Sequence, residues 1–130
     1  MERFGSGYEM SRILVVEDDP DLRPLLEHVL IDALHEVDVA ESVARGLALL
    51  EAGHYDLLIA DGRLPDGTGM HVAAQAEQDG TATLIITGYA FDLPRKELEQ
   101  FEYLLKPVRP HELLQAVERA LRGHSARNNS

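Results

Sequence analysis

The chain has 130 residues, 45% of them hydrophobic and 27% charged, with a net charge of −11 and no cysteine. That length makes one domain around one sizeable core, and the missing cysteines exclude disulfides, thiol catalysis and cysteine-based zinc sites. The acidic excess would repel a phosphate backbone, so protein partners are expected rather than direct nucleic-acid contact.

Residues 1–10 read as a flexible leader with no apolar core of the signal-peptide kind, and no run reaches the ~20 apolar residues that span a bilayer. A cytoplasmic protein with no membrane partner is expected. Arg12 to Glu17 contains Ile-Leu-Val-Val, a β-branched run of strand length, and ends abruptly in Glu17-Asp18-Asp19-Pro20. Leu22, Leu25, Leu26, Val29, Leu30, Ala33 and Leu34 then recur at helical spacing as one apolar stripe, with Pro24 tolerable only near the first turn. Glu36 to Ala40 is a second strand. Ser42 can cap a helix through Leu47, Leu49 and Leu50 that stops at Gly53.

The third strand, Asp56 to Ala60, runs into Asp61 and a Gly/Pro/Asp-rich loop. Met70 to Asp79 is an Ala-rich helix ended by Gly80. Thr83 to Thr87 is a fourth buried strand, broken by Gly88. Pro94 should begin a short helix anchored by Leu98. Glu102 to Leu105 is a fifth strand, closed by Lys106-Pro107, and Pro110 starts a last helix carrying Leu113, Leu114, Val117, Ala120 and Leu121. A polar tail covers 123–130. Five strands alternating with five helices predict a doubly wound parallel sheet with helices on both faces and right-handed crossovers.

In such a sheet reactive groups gather outside the carboxyl ends of the strands. Those ends hold Glu17 and Asp18 after strand one, Asp61 after strand three, Thr87 after strand four and Lys106 after strand five. Clustered carboxylates repel one another unless a cation joins them, and an oxygen-only acidic cleft suits Mg²⁺ better than Ca²⁺, for which no EF-hand spacing is present. With the metal bound, a carboxylate can attack a phosphoryl group, Lys106 can hold a phosphoryl oxygen and the Thr87 hydroxyl can donate to another. The product is an acyl phosphate on Asp61.

Strand one as Ile-Leu-Val-Val-Glu-Asp-Asp, the Asp61-x-x-Leu64-Pro65-x-x-x-Gly69 loop, Thr87-Gly88 and Lys106-Pro107 together resemble the receiver domain of two-component response regulators, over residues 11–122. The resemblance implies a flavodoxin-like sheet of order 2-1-3-4-5. It implies Asp61 as phosphoacceptor from a phosphohistidine on a sensor histidine kinase or histidine phosphotransfer protein. Asp18, Asp61 and the backbone carbonyl of Arg63 are then Mg²⁺ ligands, with Glu17 acting through water. Thr87 and Tyr103 become the switch pair that remodels a surface for a downstream protein, Lys106 contacts the phosphoryl group, and the Lys106-Pro107 bond is expected to be cis. The family is a signalling module, not an enzyme beyond slow self-dephosphorylation.

Glu17 stands where Asp is commoner. The segment between Thr87 and Lys106 is short, so the fourth helix is expected to be stunted, and Thr87-Gly88-Tyr89 resembles an atypical subgroup, which leaves the dimerisation mode open. Arg63 and Tyr89 either screen the phosphoryl site from water or point into solvent. Three rival readings remain: a haloacid-dehalogenase-like phosphatase using Asp19 of Asp19-Pro20-Asp21, an FMN carrier, and a receiver that docks without being phosphorylated. The first lacks the expected hydrophobic-Thr continuation, having Leu22-Arg23 there; the second would need hydroxyls where the first loop offers Glu-Asp-Asp. His28, His35, His54 and His71 lack zinc spacing. With no output domain after the last helix, the chain reads as a free-standing receiver or a piece of a larger regulator.

Overall fold

The computed structural model describes residues 10–88 and 95–128. Five parallel strands form one sheet in the order β2-β1-β3-β6-β7: β1 is Arg12–Val16, β2 Glu36–Ala40, β3 Leu57–Asp61, β6 Ala82–Thr87 and β7 Tyr103–Leu105. Between β3 and β6 a small antiparallel ribbon pairs β4 (Arg63–Leu64) with β5 (Gly67–Thr68). Leaving that ribbon aside, the order is the 2-1-3-4-5 of the flavodoxin-like fold. Helices α1 (Leu22–Asp32), α2 (Val43–Ala52), α3 (Gly69–Gln78), α4 (Arg95–Glu99) and α5 (Pro110–Asn128) connect the strands.

The central strands read as unbroken apolar runs because both of their faces are covered. Leu14, Val16, Leu58, Ala60 and Ile85 pack with Val43, Leu50, Met70, Val72 and Ala76 of α2 and α3. Their neighbours Ile13, Val15, Leu57, Ile59, Leu84 and Ile86 pack on the other side with Leu26 and Leu30 of α1 and Leu113 and Val117 of α5. Each buried Val, Leu, Ile or Met among them contributes roughly 1.5–3 kcal/mol on burial. The result is a rigid sheet whose carboxyl ends share one edge.

Several expectations need correction. The α1 stripe is narrower than its periodicity implied: Leu26 and Leu30 are buried, but Leu25 is 48% and Leu34 63% exposed. Leu34 lies beyond the helix in a left-handed conformation, φ 73°, where the chain turns into β2. Pro24 does fall in the first turn. The last helix continues to Asn128, past Gly123, where a polar tail was expected. The fourth helix is short, as expected, with five residues among those described. Its expected start at Pro94, with Tyr89 and the leader up to residue 9, lies outside the described residues, as do residues 129 and 130. Among the described residues no helix is long and apolar enough to cross a membrane.

Candidate functional site

At the carboxyl edge, β1 and β3 are hydrogen-bonded neighbours with Val16 beside Ala60, so the residues that follow, Glu17 and Asp61, emerge side by side. One ligand oxygen each from Glu17, Asp18 and Asp61 lies within 4.8 Å of the others. Glu17 and Asp61 are buried, whereas Asp18 is exposed. Together with Asp19, Pro20, Arg63, Leu64, Pro65 and Lys106 they line an open cleft of about 590 Å³.

Lys106 reaches this cleft from the far side of the sheet. Its backbone N–H donates to the Thr87 carbonyl at 3.0 Å, extending the β6–β7 ladder. The Lys106-Pro107 peptide is cis. The ammonium donates to Asp61 Oδ2 at 2.7 Å and stands 3.0 Å from Glu17 Oε1. That Glu17 oxygen is fully buried and accepts no well-directed hydrogen bond. Its partner Oε2 accepts from the Asp19 N–H at 3.1 Å, and Asp61 Oδ1 accepts from the Arg63 N–H at 3.1 Å.

Burial, and then the like charge of Asp61, outweigh the Asp19 amide and Lys106 and push the Glu17 carboxyl up to about 7. Burial also works against the Lys106 ammonium, but Asp61 and Glu17 prevail and hold its pKa above the ordinary lysine value. A hard divalent cation suits this donor set: three carboxylates, one buried oxygen without a hydrogen bond, and no nitrogen or sulfur ligand. The site has the composition of a hard-cation centre.

Thr87 ends β6, fully buried, with Leu105 beside it on β7. Tyr103 pairs with Ile85, so Thr87 and Tyr103 lie diagonally on the same sheet face. Tyr103 is 42% exposed. Arg63 is exposed at the rim of the cleft. Asp19, the nucleophile of the phosphatase alternative, lies in the turn that leads into α1: its Oδ1 accepts from Asp21 N–H at 2.8 Å and Leu22 N–H at 3.2 Å, and these bonds lower its pKa.

Two residues around the site were not singled out from the sequence. Arg23 donates from Nη1 to the Glu17 carbonyl at 2.9 Å, and Asp66 accepts from Val43 N–H at 2.8 Å and Ala44 N–H at 3.0 Å. A basic residue one turn into the helix after an acidic loop was a usable signal for the first. Nothing local announces the second, since its partners are more than twenty residues away.

A five-stranded parallel sheet in this order, with acids and a lysine converging at its carboxyl edge, defines a flavodoxin-like domain with a carboxylate and lysine site. The chain belongs to the response regulator receiver domain family, which matches residues 13–118. It is 34% identical over 116 residues to the response regulator protein PilR of Pseudomonas aeruginosa, covering 85% of this chain and 26% of that one. The chain thus spans about a quarter of that relative. A CheY-like receiver domain from Methanospirillum hungatei superposes with a TM-score of 0.79 at 27% identity, over 92% of this chain and 99% of that one. The receiver domain of a Pseudomonas aeruginosa sensor histidine kinase, solved with magnesium in its active-site cleft, gives 0.76 at 25% identity, over 88% of this chain and 99% of that one.

Proposed function

We propose that this chain is a phosphorelay receiver that accepts a phosphoryl group on Asp61 from a phosphohistidine, borne by a sensor histidine kinase or a histidine phosphotransfer protein. The observation that carries this reading is the Lys106 ammonium between Asp61 and Glu17, with Asp18 alongside, at the mouth of an open cleft. A carboxylate oxygen of Asp61 attacks phosphorus, the P–N bond breaks, and the imidazole departs with the electron pair and takes up a proton. Lys106 shifts its attention from the Asp61 carboxylate to a phosphoryl oxygen. Thr87 donates its hydroxyl to another.

Glu17, Asp18, Asp61 and the Arg63 carbonyl would hold Mg²⁺, which when bound neutralises charge on the transferred group. Thr87 and Tyr103 form the switch, coupling the occupied site to a surface that a downstream protein reads. The module turns over no substrate beyond slow loss of its own phosphoryl group, and it works in the cytoplasm without touching nucleic acid or membrane itself.

The test is the intact mass after incubation with acetyl phosphate, with and without Mg²⁺, for the wild type and Asp61→Asn. The reading predicts one phosphoryl group gained by the wild type with Mg²⁺ and none by the mutant. A wild type that stays unlabelled while a control receiver labels would favour the phosphorylation-independent docking receiver.

A further inference from the structure

Arg23 stands in the first turn of α1 and reaches back over the loop that carries the acids. Its Nη1 donates to the Glu17 carbonyl at 2.9 Å and lies 3.4 Å from the Asp18 carbonyl, while its own amide donates to the Asp19 carbonyl at 3.0 Å. We infer that Arg23 is a positioning residue for the cation site: it ties down the two peptide groups from which Glu17 and Asp18 project, so that their carboxylates meet Asp61. This deepens the proposed function and rests on it.

The loop needs such a clamp. Glu17, Asp18 and Asp19 are consecutive acids whose charges push the segment open. Both contacts come from the one charged nitrogen Nη1, whose two N–H bonds can serve both carbonyls, the 2.9 Å bond to Glu17 being the stronger. Its bonds go to carbonyl oxygens, which leaves the carboxylates themselves available as ligands. Lysine carries its ammonium on a stem one bond shorter, so from the same backbone position its nitrogen falls short of the place that Nη1 takes between the two carbonyls.

Charge and geometry make opposite predictions. A positive group this close repels a divalent cation, so if charge were its only effect, removing Arg23 would tighten Mg²⁺ binding. Positioning predicts the reverse. Loss of residues that orient metal ligands typically weakens affinity by about 10–100-fold.

The experiment is a calorimetric Mg²⁺ titration of the whole chain as wild type, Arg23→Gln, Arg23→Lys and Asp61→Asn, with amide hydrogen exchange on the metal-free proteins. The expected result is a loss of about tenfold or more in both Arg23 variants, with faster exchange at Asp19 and unchanged exchange at Ile59 in β3. Equal or tighter binding by Arg23→Gln overturns the inference while leaving the cation site intact. So does wild-type affinity in Arg23→Lys, which remains decisive if Arg23→Gln fails to fold. A wild type that binds no Mg²⁺, or binds it no better than Asp61→Asn, overturns the underlying site reading, and the inference with it.

Discussion

Gly69 shows how closely single residues constrain the cleft. A Cβ added there would lie 2.1 Å from the carbonyl oxygen of Asp61 and 3.1 Å from the Ala60 side chain, and the first of these obstacles is backbone that cannot swing away. Gly69→Ala should therefore cost at least the ~1–3 kcal/mol usual for overpacking, read from the midpoint of urea unfolding, and should displace Asp61. Glu17 offers a second test. Its native carboxyl titrates near 7 against an ordinary 4.5, so the folded state holds a proton that the unfolded state has released. The contribution of this group to stability is fully present below about 4.5 and is lost as pH rises through 7. In metal-free buffer Glu17→Gln should thus gain in melting temperature over the wild type progressively from pH 4.5 to pH 8. A difference that stays flat across that range would contradict the burial and repulsion assigned to Glu17.

At the scale of elements, capping and turn chemistry account for what periodicity misjudged. Leu34 matches the helical spacing of α1, yet the chain must reverse after Ala33, and it does so through a left-handed residue that is mostly exposed. Periodicity counts apolar positions and is blind to where a helix stops. Leu34→Gly should relieve a strain of about 1 kcal/mol and raise the unfolding midpoint, because a side chain in this conformation crowds the following carbonyl. At α2 the cap is split: Ser42 Oγ accepts from Arg45 N–H, and Asp66 arrives from the β4–β5 turn to take Val43 and Ala44 N–H. The local half was legible as Ser42 before an apolar run, but the distant half was not. Those two amides, Ala44 first, hold the Asp66 carboxyl below its ordinary 3.8. Its contribution is present above that value and fades as pH falls through the native pKa. Asp66→Ala should lower the melting temperature at neutral pH and blunt the acid dependence, as followed by circular dichroism.

For the molecule as a whole, the architecture was readable because three of the five sheet strands carry β-branched or apolar runs ended by acid or Thr, and α1, which follows the first of them, shows 3.6-residue periodicity. The site was legible for the same reason. A parallel sheet brings strand ends together, so acids and lysine far apart in sequence could be assigned to one edge before any distance was known. Their separations, the clamp from Arg23 and the added ribbon after Asp61 depend on side-chain reach and loop closure, which no local pattern encodes. A ligand that binds only the folded state stabilises it by mass action, about 2.7 kcal/mol at a hundred times its dissociation constant. Saturating Mg²⁺ should accordingly raise the melting temperature of the wild type and leave Asp61→Asn nearly unmoved. The most direct test of the central claim is to label the protein with acetyl phosphate and Mg²⁺, reduce the acyl phosphate with borohydride, and map the converted aspartate by peptide mass spectrometry. Conversion confined to Asp61 is the predicted result. Conversion at Asp19 would contradict it and put the phosphatase reading in its place.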